Sequence, residues 1–346
     1  MNKIGICGHF AFGKIMLDGQ TIKTKILYNE LTKEFGQKNV LPIDTHGWRR
    51  APFKLLYGCI SVFHTCTNII ILPAQNGLKI FVPLFIFLKY FFNIKLHYVV
   101  IGGWLPELLQ AKQWLLIPLK AFTGIYVETT SMKNKLDALG FKNIYIVPNF
   151  KQLHILKEDE LVYKNKPPYE FCTFSRVMKE KGIEDAIAAI KVINEERHLT
   201  ICHLDIYGQV DSNYINKFEE ILANAPNYIK YKGEVPFDKS TEVLKNYYAL
   251  LFPTHFFTEG LPGTIIDAYA AGLPVIASNW ENAGEFINDG KTGFIFNVHD
   301  IEGIKHSILK VLQNKNKYKE MKFNCLEQAK IFLPQRALKI LFKKLD

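Results

Sequence analysis

Apolar residues along this chain fall into two kinds of pattern that alternate. Short, nearly continuous apolar runs occur at Lys3 to Cys7, Val40 to Ile43, Ile69 to Leu72, Leu96 to Ile101, Ile125 to Val127 and Ile144 to Val147. Between them lie loops and stretches with helical spacing, such as Ile22, Ile26, Leu27, Leu31 and Phe35. Runs without polar alternation are what strands need when both faces of a sheet are covered, so the pattern predicts a parallel sheet wrapped by helices. It then begins again, with strands at Phe171 to Phe174, Thr200 to Tyr207, Tyr228 to Tyr231, Leu250 to Phe252 and Val275 to Ala277, and a helix from Gly182. The polar run Lys157 to Lys166 with Pro167-Pro168 reads as the linker between the halves. The expectation is an α/β chain of two doubly wound, Rossmann-like domains, 1–160 and 161–333, facing across a cleft and followed by a C-terminal helix over 334–346. Ligands of such sheets bind outside the carboxyl ends of the strands.

A length of 346 residues is too great for one ordinary core and suits two domains. The 48% hydrophobic content belongs to packed globular protein and argues against disorder. Six cysteines are scattered with no zinc-like spacing, so they read as buried thiols of a reducing cytoplasm. The start MNKIGICGHF breaks at glycine and is read as a first strand rather than an export signal. A formal charge of +10 favours anionic partners, whether nucleotide sugars, anionic lipid or nucleic acid. The lysines are dispersed rather than gathered in one arm, so nucleic acid is not expected. The first glycine loop, Gly5, Gly8 and Gly13, lacks the G-x-G-x-x-G spacing of a dinucleotide oxidoreductase.

The stretch Glu259 to Phe296, EGLPGTIIDAYAAGLPVIASNWENAGEFINDGKTGFIF, organises the chemistry. It opens on a carboxylate and a tight Gly260-Leu261-Pro262-Gly263 turn, then shows helical spacing at Ile265, Ile266, Tyr269 and Ala270, with Asp267 inside that helix. A helix start has unpaired N–H groups and partial positive charge, which suits an anionic, hydroxyl-rich ligand. The order E-G-x-P, four residues, acid-Ala, then A-x-G-x-P-V-I-A resembles the retaining glycosyltransferases of family 4, the group 1 glycosyl transferases of GT-B fold. That family has two glutamates separated by seven residues, and here the second is Asp267, one methylene shorter. The plain structural alternative is a loop-to-helix junction capped by Glu259.

The resemblance implies further roles. FSRVMKEKG, Phe174 to Gly182, is similar to the family's G-R-x-x-x-x-K-G segment, with Ser175 in place of a glycine. Arg176 and Lys181 then fall where the family holds the donor diphosphate, and two fixed cations suit a leaving group that gains negative charge. With Glu259 they form the expected catalytic set, Glu259 holding the hydroxyls of the transferred sugar and no metal taking part. Gly260, Leu261, Pro262, Gly263 and Thr264 would line the sugar and phosphates, Asp267 the ribose, and Glu234 and Val235, after Gly233, the nucleobase. Gly19 is placed like a diphosphate-facing glycine, although Asp18 before it also makes a good helix cap. The family's histidine at the end of the fourth strand is replaced by Gly102-Gly103-Trp104, leaving His9 and His255 as candidate cleft histidines. His46 also follows a strand. No cofactor is implied; the donor would be a UDP-, GDP- or ADP-sugar, and the acceptor a glycan or lipid-linked glycan in surface polysaccharide or glycolipid assembly. By the same resemblance, the last helix crosses back to the first domain.

Lys79 to Lys95, KIFVPLFIFLKYFFNIK, is too short to span a bilayer but strongly aromatic between lysines. It reads either as a peripheral contact with anionic membrane at the inner face or as a buried helix and strand. Two other functions stay open: a catalytically weak scaffold subunit that binds nucleotide sugar, and a basic peripheral membrane-binding protein.

Overall fold

In the third apolar run of the first half, the fully buried Ile69 and Ile71 pack into one cluster while Ile70 and Leu72 pack into another. Successive strand residues point to opposite faces, so a run with no polar member belongs in a sheet covered on both sides. The computed structural model, which describes residues 3–14, 19–164, 166–256 and 259–346, is built from two such sheets. Its strands are β1 (Ile4–Gly8), β2 (Val40–Asp44), β3 (Asn68–Ile71), β4 (Lys95–Val99), β5 (Gly124–Val127) and β6 (Ile144–Ile146), then β7 (Tyr169–Phe174), β8 (Cys202–Tyr207), β9 (Ile229–Gly233), β10 (Ala249–Phe252), β11 (Val275–Ser278) and β12 (Gly293–Phe296). All pairings between these strands are parallel.

The first sheet has the order β2-β1-β3-β4-β5-β6 and belongs to a unit made of 1–152 and 332–346. Helices α1 (Gly19–Phe35), α2 (Pro52–Thr65) and α3 (Gln75–Phe91) follow its first three strands. The terminal helix Lys339–Leu345 packs into the same core: Leu338, Leu341 and Leu345 are fully buried beside Ile4, Ile6, Leu27 and Leu31. The Asn68 side chain also donates to the Leu345 carbonyl at 3.0 Å.

The second sheet has the order β12-β11-β10-β7-β8-β9, in a unit spanning 153–331. Helix Ile183–Arg197 lays Ala186, Ile190 and Ile193 on one face of it with Phe171, Leu204 and Ile276. Strand β12, with sequence GFIF, has no counterpart among the strands expected from the sequence. The polar run after Lys157 lies in this unit rather than free of it, since Leu156 and Leu161 are buried against Leu326.

Helix α3 divides its residues between core and surface. Leu78, Phe81, Val82, Phe85 and Leu88 are buried, whereas Phe87, Tyr90 and Phe91 are exposed. Among the described residues no helix is long and apolar enough to cross a membrane.

Candidate active site

In the second sheet, β7, β8 and β9 succeed one another in one direction and β10, β11 and β12 in the other, so the order reverses between β7 and β10. At such a switch point the loops leaving two neighbouring strands diverge and open a crevice at their carboxyl ends. Lys181 follows β7 and Glu259 follows β10, one on each side of that point.

The two loops are stitched together by backbone contacts. Gly182 has φ of +67°, and a Cβ there would come within 2.1 Å of the Pro253 carbonyl oxygen, so only glycine lets the turn Lys179–Lys181 lie against the chain after β10. The His255 N–H and the Thr254 hydroxyl both donate to the Glu180 carbonyl, at 2.9 and 3.3 Å. This apposition brings Lys181 Nζ onto Glu259 Oε2 across 78 positions of sequence, with each side chain only 13% exposed. The ammonium also lies 5.4 Å from the Phe252 ring centroid and 5.2 Å from that of Phe256, an aromatic setting that favours a cation. Thr254 Oγ1 approaches the same carboxylate oxygen at 3.4 Å, and Asn282 Nδ2 donates to the Glu259 carbonyl at 2.8 Å. The Thr254 carbonyl in turn accepts from Ser278 Oγ.

The remaining residues singled out in the sequence are distributed as follows. Arg176, just past β7, is 61% exposed, with its guanidinium 4.0 Å from Asp211. Gly260, Leu261 and Pro262 form a buried turn, and Gly263 and Thr264 open the helix Gly263–Ala270, whose first turn has no side-chain cap. Asp267, its fifth residue, is 5% exposed. Glu234 and Val235 follow the edge strand β9, the former exposed and the latter half-buried; Gly233 before them has φ of +79°. Gly19 begins α1 in the first unit, and Asp18, its alternative cap, lies outside the described residues.

His255 is half-buried, its ring 4.4 Å from that of His299, which reaches Asp185 at 3.4 Å. Burial and then the neighbouring His299 hold its pKa below the usual histidine value. His9 donates or accepts at Thr21 Oγ1, 2.8 Å away, and meets His46 at 3.0 Å. His97 is wholly internal, between Tyr126 OH at 2.9 Å and Asn68 Oδ1 at 3.1 Å; burial, then Lys95 and other lysines, lower its pKa to about 4. It is a neutral strut of the first sheet.

Residues that sequence reasoning did not single out are Thr254, Asn282 and the phenylalanines beneath Lys181. Asn282 sits inside the motif-bearing stretch, and Thr254 lies two residues past the end of β10, a position at the carboxyl end of a strand that could have drawn notice. Four buried side-chain atoms without a hydrogen-bond partner fall in the segments that follow β10 and β11: His255 Nδ1, Thr264 Oγ1, Trp280 Nε1 and Asn282 Oδ1. Buried polar atoms are rarely left so.

Comparison with known proteins bears on the same half of the chain. The family described as glycosyl transferases group 1 matches residues 157–327. The capsular polysaccharide biosynthesis glycosyltransferase CapM of Staphylococcus aureus is 27% identical over 199 residues, 56% of this chain and 50% of that protein. An uncharacterized glycosyltransferase of Methanocaldococcus jannaschii is 27% identical over 194 residues, 55% of this chain and 48% of its own length. The chain thus spans about half the length of these curated relatives in the match. Among solved structures, HepE of Anabaena in complex with UDP superposes with a TM-score of 0.73 at 13% identity, covering 100% of this chain and 99% of that one. The two parallel sheets are those of the GT-B fold.

Proposed function

From the match of residues 157–327 to the group 1 glycosyl transferases, we propose that the chain is a transferase of that kind and moves a sugar, with retention, from a nucleoside diphosphate sugar to a glycan or lipid-linked glycan. The observation that carries this is the Lys181–Glu259 pair at the switch point of the second sheet. As the bond from sugar to diphosphate breaks, negative charge builds on the leaving phosphate. Lys181, fixed in position before the reaction, stabilises that charge, with Arg176 as a more solvated second cation. Glu259 accepts from hydroxyls of the transferred sugar, and the unpartnered donors and acceptors of Thr264, Trp280 and Asn282 give a hydroxyl-rich ligand further contacts. Retention follows if the leaving phosphate oxygen itself deprotonates an acceptor on the same face, a route that needs positioning and charge stabilisation more than a paired acid and base. Asp267 serves the ribose side. The likeness to CapM supports surface polysaccharide assembly as the setting.

The test is transfer and binding with UDP-, GDP- and ADP-sugars, read by product formation and by thermal shift, since a ligand that binds only the folded state raises its apparent stability. Lys181→Ala and Glu259→Ala are each expected to lower turnover by roughly 100-fold or more. Turnover unchanged in both variants sinks the assignment; nucleotide binding without turnover over a panel of acceptors supports the scaffold function instead.

A second reading concerns location. The exposed side of α3 gathers Phe87, Tyr90 and Phe91, with ring centroids 5.2 and 5.4 Å apart, on a chain of formal charge +10. Aromatic side chains beside lysines are the composition that settles at an anionic bilayer surface, and this supports peripheral contact at the inner face of a membrane.

A further inference from the structure

At the carboxyl ends of β1 and β2, in the first unit, lies a cavity of about 470 Å³ whose lining includes His9, Lys14, His46, Trp48, Arg49 and Arg50. Its place follows from the topology. The order of the first sheet reverses between β1 and β3, so the loop after β1 borders a switch point of its own.

The lining is basic, and the neighbouring carboxylate does not neutralise it. Asp44, the last residue of β2, accepts from the backbone N–H groups of Phe10, Ala11, Phe12 and His46 at 2.8 to 3.2 Å. Burial pushes its carboxyl up, but these four donors outweigh that and hold its pKa below the usual range. Its charge is therefore directed at the backbone, where it ties the two loops together.

The imidazoles are ordered as well. An ammonium can only donate, so Lys14 Nζ donates to His46 Nε2 at 3.0 Å, His46 Nδ1 donates to His9 Nε2 at 3.0 Å, and His9 Nδ1 donates to Thr21 Oγ1 at 2.8 Å. That chain steadies Lys14 at the wall of the cavity. Gly47, with φ of +66°, turns the backbone into Trp48–Arg50, and the Arg49 guanidinium lies 5.7 Å from the Trp48 ring, which is itself packed edge-on against Phe81.

Two guanidinium groups and an ammonium match the paired oxygens of a phosphate or carboxylate, and an indole offers a flat apolar surface to a sugar ring. We propose that this cavity binds an oxyanion-bearing sugar, phosphorylated or uronic, and that this sugar is part of the acceptor. The acceptor role rests on the transferase reading above; the binding of the charged sugar does not.

The experiment is calorimetric titration of the full chain with glucose 6-phosphate, glucuronate and glucose, repeated in Arg49→Ala and Arg50→Ala, with UDP titrated in parallel. At least one charged sugar is expected to bind tenfold or more tightly than glucose, and each substitution to weaken it about tenfold, as loss of a hydrogen bond to a charged group does. UDP affinity is expected to stay unchanged in both. Preference for glucose 6-phosphate identifies a phosphorylated acceptor, and preference for glucuronate a uronic one. Equal binding of all three sugars, no binding, or undiminished affinity in both variants overturns the site. A parallel loss of UDP affinity assigns the cavity to the donor and overturns the acceptor role. Charged-sugar binding that persists while no nucleotide binds at all refutes the transferase reading and the acceptor role, yet leaves the binding site standing.

Discussion

His97 and Lys181 show how far single residues can be read before folding. Both are basic side chains near strands, and nothing in their immediate neighbours separates a strut from a ligand-facing group. Folding gives His97 zero exposure and two neutral partners, while Lys181 receives a carboxylate and two aromatic rings. The histidine therefore has a consequence for stability. Its folded pKa of about 4 lies below the ordinary value of 6.5, so the unfolded chain binds the proton more readily. Its contribution is fully present above pH 6.5 and is lost as pH falls from there toward 4. Between pH 6.5 and 5 this group alone costs about 2 kcal/mol. Denaturant melts should show a loss of that size in the wild type that is absent in His97→Gln; identical pH slopes would count against it. Glu259 and Lys181 could be selected in the sequence because each belongs to a spaced motif. Their contact could not, because it depends on the Gly182 turn meeting Pro253 and on Thr254 and Asn282 arriving from elsewhere in the chain.

At the scale of elements, eleven of the twelve strands among the described residues correspond to apolar runs singled out in the sequence, and the exception is β12. Such a strand is specified by its neighbour: β12 pairs with β11 from Gly293 to Phe296, and a Cβ on Gly293 would lie 1.8 Å from the Val275 carbonyl oxygen. The turn at Gly182 obeys the same kind of constraint. Gly182→Ala must pay a left-handed backbone penalty of about 1–2 kcal/mol and displace the Pro253 carbonyl as well. Calorimetry is expected to show a loss of about 2 kcal/mol or more, together with weakened nucleotide binding as Lys181 moves off Glu259. Undiminished binding in a stable Gly182→Ala would separate the turn from the site. Helix α3 is the element on which the two sequence readings divide: its core side is buried, and its exposed side is where the membrane reading is tested. Phe85, in the middle of the aromatic run, is fully buried, because position 85 falls on the stripe with Leu78, Phe81 and Leu88 that faces the core. Phe85→Ala should then destabilise the first unit by about 3–5 kcal/mol. Replacing Phe87, Tyr90 and Phe91 together by serine should leave stability nearly unchanged and abolish flotation with anionic vesicles. Flotation that survives this triple substitution would remove α3 from any membrane contact.

For the whole molecule, the α/β class with two parallel sheets was legible because short uniform apolar runs recur between helical stretches in both halves, and the group 1 resemblance of the second half added the GT-B fold. Less legible was how the ends of the chain share the first core. Apolar positions in 332–346 show only that a helix has a buried face, and many surfaces could receive it. The structure seats it on α1 and the first sheet: Leu338, Leu341 and Leu345 are fully buried, and Phe342 meets Phe35 edge-on at 5.8 Å. Three buried leucines contribute roughly 5–9 kcal/mol by transfer alone, which is comparable with the entire net stability of a typical domain, about 5–15 kcal/mol. Removing residues 332–346 also leaves the Asn68 amide without its Leu345 partner at the centre of that core. The expected outcome is therefore uneven. Hydrogen exchange should show the strands β1 to β6 losing protection while β7 to β12, whose cluster around Phe171, Leu204 and Ile276 includes none of the deleted residues among those described, keep theirs. Nucleotide affinity should survive the deletion if the second unit alone carries the donor, whereas charged-sugar binding at the cavity after β1 and β2 should vanish with the unit that forms it. Equal protection of both sheets in the truncated chain would show that the C-terminal helix covers the first core without holding it together.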